Sequence, residues 1–136
     1  MFTAETTLRV RYGETDQMGY VYYGNYALYY EVGRVDALRF LGMSYRELEE
    51  SGVMMPVVKM ECTYVKAAKY DDLLTIKTII KDMPNVRMHF YYEITNEVGE
   101  LVNKGETVLV FIDRSSNKIT RCPKLLAEKM SIYFTQ

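Results

Sequence analysis

Residues Arg11 to Gly42 read RYGETDQMGYVYYGNYALYYEVGRVDALRFLG, and every other segment has to be arranged around them. The stretch leaves an extended run, passes through a loop carrying Asp16, and enters the longest helix the sequence supports, with no proline from Leu28 to Leu41. Gly19 and Gly24 bracket YVYY and allow backbone conformations or close approaches that a side chain forbids. Asn25 suits the helix N-cap, and Gly42 suits the position just past the helix end. The expectation is one carboxylate in a loop immediately upstream of a helix N-terminus. Unpaired N–H groups and a partial positive charge at such a terminus suit a developing oxyanion.

Around the helical wheel, Glu31, Arg34, Asp36 and Arg39 alternate with Leu28, Tyr30, Val32, Val35, Leu38, Phe40 and Leu41, so no clean polar face emerges. This predicts a helix wrapped along much of its circumference by a curved sheet. Upstream, Thr6 to Arg11 alternates as a strand with Leu8 and Val10 on one face. Downstream, Ser44 to Glu47 is a capping box for a short helix that stops at Gly52. Val53 to Val65 is β-rich apart from Pro56, which is tolerable at a strand start or an edge, and Val58, Met60, Cys62 and Tyr64 share one face. Leu73 to Lys81, Arg87 to Glu93 and Leu101 to Ile112 follow as strands separated by Asp-, Asn-, Pro- and Gly-bearing turns. A short strand at Ile119 and a terminal helix after Pro123 complete an α+β chain with one antiparallel sheet.

A length of 136 residues fits a single domain, residues 1–136. The near-neutral balance, net charge −1, gives no footprint for nucleic acid or an anionic membrane. No apolar run approaches the ~20 residues of a membrane span, and MFTAETTLRV lacks the pattern of a signal peptide, so a cytoplasmic protein is expected. Cys62 and Cys122, with one histidine in the chain, suggest two reduced thiols rather than a disulfide or a metal site. His89 falls on the polar face of its strand, and Glu31 is expected to pair with Arg34 or meet another subunit.

The motif YGETDQMGYVYYGNY, residues 12–26, resembles the signature of the 4-hydroxybenzoyl-CoA thioesterase family of hotdog-fold proteins, which includes the YbgC-type enzymes. Pro56-Val57 before the second strand and Tyr70-Asp71-Asp72-Leu73 before the third add to the likeness. The resemblance implies a hotdog fold, an antiparallel β-sheet wrapped around a long central α-helix, and hydrolysis of an acyl-CoA to a carboxylate and free CoA. It makes Asp16 the nucleophile or general base and the Tyr23 backbone N–H the group that polarises the carbonyl. Tyrosine at position 23, where YbgC-type relatives carry histidine, is closer to the 4-hydroxybenzoyl-CoA branch. Gly19, Gly24, Asn25, Pro56 and Val57 are the implied substrate-binding positions.

Where relatives place basic residues in a phosphate-holding turn, Asp82 to Val86 has none. That role passes to Arg87, with Lys118 and Arg121 as supplements and Lys66 and Lys69 as further candidates. No cofactor is implied, because CoA is part of the substrate and product. The family also implies a homodimer or homotetramer with active sites at the subunit interface. Three alternatives stay open: a hotdog protein that binds acyl thioesters without hydrolysing them, a thioesterase acting on acyl carrier protein, and a hydratase on the same fold.

Overall fold

Strict alternation along Arg87–Thr95 sets the inner face of the sheet: Met88, Phe90, Tyr92 and Ile94 are buried, while Arg87 and Glu93 are exposed. The computed structural model describes residues 1–134. Its elements are β1 (Phe2–Arg9), α1 (Tyr26–Phe40), α2 (Tyr45–Glu50), β2 (Val53–Met54), β3 (Val57–Tyr64), β4 (Leu73–Ile80), β5 (Arg87–Thr95), β6 (Leu101–Asp113), β7 (Lys118–Thr120) and α3 (Lys124–Ser131). Two 3-10 turns, Tyr12–Glu14 and Tyr23–Asn25, precede α1. All strand pairings are antiparallel, in the order β1-β4-β5-β6, with β2, β3 and β7 also on β6. β6 is therefore the hub, paired with β5 along one side and β3 along much of the other.

The β-rich run Val53 to Val65 forms two strands, β2 and β3, and β3 opens just after Pro56, which has no N–H to donate. Its carbonyl instead accepts from Val110 N at 3.1 Å. The face of β3 that carries Val58, Met60, Cys62 and Tyr64 is largely uncovered: Val58, Met60 and Tyr64 are exposed and Cys62 is half-buried. β3 is an edge strand, and α1 meets it at Cys62 through the Tyr30 hydroxyl and at Tyr64 through the Tyr26 ring.

The sheet lies against the central helix as expected, and within one chain it covers one side of α1. Tyr26, Tyr29, Tyr30, Gly33, Arg34, Ala37 and Leu38 form one buried stripe at helical spacing. Leu28, Glu31 and Val32 lie exposed on the other side. Hydropathy hides this division, since tyrosine, glycine and arginine occupy the buried stripe while leucine and valine face outward. Asn25 takes the N-cap position without a side-chain cap, and its amide donates to Glu14 O at 2.9 Å. The C-terminal end follows expectation, with Gly42 at φ +88°. The Ser44 cap on α2 also forms, its hydroxyl accepting from Glu47 N at 3.1 Å.

The Tyr30 hydroxyl on the stripe and the Tyr92 hydroxyl facing it find partners inside the core. The Tyr30 and Tyr92 rings stack at 4.2 Å with planes 5° apart. The Tyr30 hydroxyl bonds Asn103 Oδ1, and Asn103 Nδ2 donates to the Cys62 sulfur at 3.2 Å. The Tyr92 oxygen accepts from Arg34 Nη1 at 3.1 Å and lies 2.6 Å from Thr107 Oγ1. Burial pushes the Tyr92 phenol up to about 12 and the Tyr30 phenol higher still, so both keep their protons at neutral pH.

Two glycines make this seat possible. A Cβ on Gly105 would run into the Tyr30 phenol and stand 2.6 Å from Glu61 O. On the helix side, a Cβ on Gly33 would stand 2.5 Å from Thr78 Oγ1 and 2.9 Å from Ile76 Cγ2. Gly33→Ala should therefore destabilise the fold by about 1–3 kcal/mol through overpacking, although alanine is the better helix former. Thermal or urea unfolding checks this, and an unchanged or raised stability would mean that α1 is not seated so closely.

Candidate active site

Asp16 sits in a tight loop closed by its own main chain. Its N–H donates to Tyr20 O at 2.8 Å, and Gly19 N donates to Asp16 O at 3.0 Å. Asp16 Oδ1 accepts from Met18 N at 2.8 Å and Tyr20 N at 3.2 Å. This turn requires Gly19 at φ +79°, a backbone state that other residues rarely adopt. The carboxylate is exposed, and Oδ2 has no hydrogen-bond partner among the described residues. Asp16 is thus both a turn aspartate and a carboxylate with one oxygen left for chemistry.

Glu14 ties the loop to the helix. Its carboxylate accepts from Arg11 N at 2.9 Å, Arg11 Nη2 at 2.8 Å and the Tyr29 hydroxyl at 3.0 Å. Burial alone would raise the Glu14 pKa, but the Arg11 and Tyr29 hydrogen bonds outweigh it and hold the carboxyl below its ordinary value. A second tether joins the loop to the segment after β3, through Val21 N to Ala68 O at 2.8 Å.

Asp16, Tyr20, Tyr23, Tyr26, Tyr64 and Lys66 line one cleft of roughly 290 Å³. Tyr23 opens the 3-10 turn that runs into α1, so its N–H belongs to the helix-start donors without an intrahelical acceptor. Rings of Tyr23 and Tyr26 pack edge-on against Tyr64 at 6.4 and 5.6 Å. Burial pushes the Tyr26 phenol up to about 12, so this wall is neutral at physiological pH. Lys66 stands at the rim in an ion pair with Glu100, which also accepts from Asn96 Nδ2 at 3.1 Å.

The expected site residues divide into two groups. Asp16 and Tyr23 share the cleft, while Gly19 shapes the Asp16 turn and Gly24 lies in the 3-10 turn, where a Cβ would press on the Tyr22 ring at 2.8 Å. Asn25 braces Glu14 rather than facing the cleft. Arg87, Lys118, Arg121, Pro56 and Val57 do not line it. Tyr64 pairs with Asn103 of β6, whereas Arg87 pairs with Val110 and Val57 with Leu109. At ~3.3 Å per residue, both lie on the order of 20 Å from the cleft in the same chain. Lys118 is farther along, opposite Asp113, and Pro56 lines a separate hollow with Tyr45 and Leu48. Tyr64 was not legible as a site residue, since nothing in the sequence says that the end of an edge strand meets a helix start. His89 lies elsewhere on the sheet, stacked on Tyr91 at 4.3 Å.

A family model described as the Thioesterase-like superfamily matches residues 10–130. The chain belongs to that superfamily. YneP of Bacillus subtilis is 36% identical over 118 residues, covering 87% of this chain and 86% of that protein. The acyl-CoA thioester hydrolase YbgC of Escherichia coli is 34% identical over 117 residues, covering 86% and 87%. Among solved structures, a DHNA-CoA thioesterase from Staphylococcus aureus superposes with a TM-score of 0.90 at 35% identity, covering 98% of this chain and 90% of that one. The protein is a thioester hydrolase with the hotdog architecture, as the motif at residues 12–26 implied.

In this thioesterase the Glu14 brace should be visible in the acid limb of stability. A carboxylate whose folded pKa is depressed stabilises the fold above its unfolded pKa, and that contribution is lost as pH falls through the folded value. Glu14→Gln should cost about 1–2 kcal/mol at neutral pH and flatten the loss of stability below about pH 4. Unfolding measured between pH 3 and pH 7 checks it (~1 pH unit steps suffice). An unaltered acid limb would place the titrating group elsewhere.

Proposed function

We propose that this thioesterase hydrolyses an acyl-CoA to a carboxylate and free CoA in the Asp16–Tyr23 cleft. The observation that carries the reading is a carboxylate oxygen beside a helix start, where neither that oxygen nor the Tyr23 N–H has a partner among the described residues. The thioester oxygen accepts from Tyr23 N–H, which draws the carbonyl into the cleft and stabilises the charge that develops on that oxygen. Asp16 Oδ2 then follows one of two routes. It adds to the carbonyl carbon, expelling CoA as thiolate and leaving a mixed anhydride that water cleaves, or it takes a proton from the water that adds. Neither route calls for a cofactor or a metal.

Lys66 is the cleft-rim cation within one chain and is our first candidate for the nucleotide phosphates. Arg87, Lys118 and Arg121 can contribute only from a second copy. A homodimer or homotetramer follows from the same reading, because β3 leaves an unpaired edge with Val57, Val58, Met60 and Tyr64 exposed. Among the described residues no helix is long and apolar enough to cross a membrane. A cytoplasmic location completes the proposal.

Asp16→Asn should lower kcat by roughly a hundredfold or more with the fold retained, because an amide is neither base nor nucleophile. Tyr23→Phe should change kcat only a few-fold (~threefold at most), since the donor is main chain. Single turnover in ¹⁸O-water separates the routes: label appears in the Asp16 carboxyl only if that group attacks. Near-native kcat in the asparagine variant would reject the assignment. Lys66→Ala should raise KM for acyl-CoA, leave kcat in place, and leave a thioester lacking the nucleotide unaffected. If Arg87→Ala alone shows that pattern, the phosphate site belongs to a subunit interface. Sedimentation should find an assembly larger than a monomer.

A further inference from the structure

A second cavity lies against α1, lined by Arg34, Val35, Tyr45, Arg46 and Met55 among others, with a volume near 420 Å³. It shares no lining residue with the Asp16 cleft. Arg34 is eleven residues beyond Tyr23, roughly 16 Å along the helix at ~1.5 Å per residue. Arg34 is buried, 7% exposed, and makes no ion pair among the described residues. Its Nη1 donates to Tyr92, and its Nε is buried with no acceptor among the described residues. Burial opposes the charge, but the Tyr92 and Tyr45 oxygens outweigh burial, so Arg34 stays cationic. The neighbouring arginines are already matched: Arg39 with Asp36 at 2.9 Å and Arg46 with Glu50 at 3.5 Å.

Arg34 therefore carries a buried positive charge with no counter-charge among the described residues, and a carboxylate is the group that pairs with a guanidinium side-on. We propose that this cavity is a second ligand site, taking a monocarboxylate with a short apolar body on Arg34. Val35, Met55 and the Tyr45 ring receive the apolar body, and Arg46 adds a cation at the rim. Glu31 and Glu49 also line the cavity and form no ion pair among the described residues. They oppose any anion, and a phosphate dianion more than a monocarboxylate. Thioester hydrolysis releases a carboxylate, so the ligand belongs to the chemical class of the product. The site itself does not depend on the assignment of the catalytic residues.

The test is a titration of the intact protein with benzoate, butyrate and inorganic phosphate at constant ionic strength, followed by ¹⁵N NMR of the Arg34 Nε–H and the Tyr45 amide. Saturable shifts with the carboxylates at these groups, persisting in Asp16→Asn, are expected. Arg34→Lys keeps the charge without the fork and should weaken binding ~tenfold, the loss of one charge-assisted hydrogen bond. Glu31→Gln should tighten it and Arg46→Gln should weaken it. These two variants carry the test if Arg34→Lys fails to fold. Shifts confined to the Asp16 cleft, equal response to phosphate and carboxylate, or indifference to both Glu31→Gln and Arg46→Gln would overturn the proposal.

Discussion

The close seat of α1 on the sheet is the constraint from which the rest follows. Gly33 and Gly105 remove side chains at the contact, and the Tyr30 and Tyr92 rings fill the space as a stacked pair. Because those rings carry hydroxyls, the core must supply partners, and it does so through Asn103, Thr107 and Arg34. Buried polar groups that are satisfied fix one arrangement more tightly than apolar groups of similar shape, since any slip of the helix breaks several hydrogen bonds at once. The helix is therefore held in register along the sheet as well as pressed onto it.

That register reaches the Asp16 cleft. With α1 fixed, its first turn arrives beside the end of β3, where Tyr64 packs against Tyr23 and Tyr26. Glu14 joins the Asp16 loop to the same helix through Tyr29, which lies on the buried stripe next to Tyr30. The carboxylate and the helix-start N–H are thus referenced to one rigid element, as the near-angstrom demands of acyl transfer require. Oδ1 is engaged by two amides, which leaves Oδ2 as the oxygen of Asp16 without a partner among the described residues.

Much of this was legible in the residues. The 12–26 motif gave Asp16, Gly19 and the helix start, and the alternation in Arg87–Glu93 gave the inner face of the sheet without help from any relative. The division of α1 into two faces is concealed because tyrosine, glycine and arginine make up most of its buried side. Proximity to the cleft is not written in the residues either: the likeness that points to Arg87 does not show that the ladder register sets it and Tyr64 toward opposite ends of β6 within one chain, nor that Lys66 lies at the cleft rim.

The pairing of β1 with β4 bears on how the chain is made. Their paired residues are separated by 64 positions for Arg9 and Leu73 and by 78 for Phe2 and Ile80. β4, β5 and β6, by contrast, join their neighbours through short turns. Closing the long loop wins no contact until the whole of α1 and β3 has been ordered. During synthesis the first strand and the tyrosine-lined helix leave the ribosome before any of the sheet that will cover them exists. Both must wait for the β4–β6 meander, and through that interval the apolar residues of β1 and the aromatic stripe of α1 stand open to the surrounding cell.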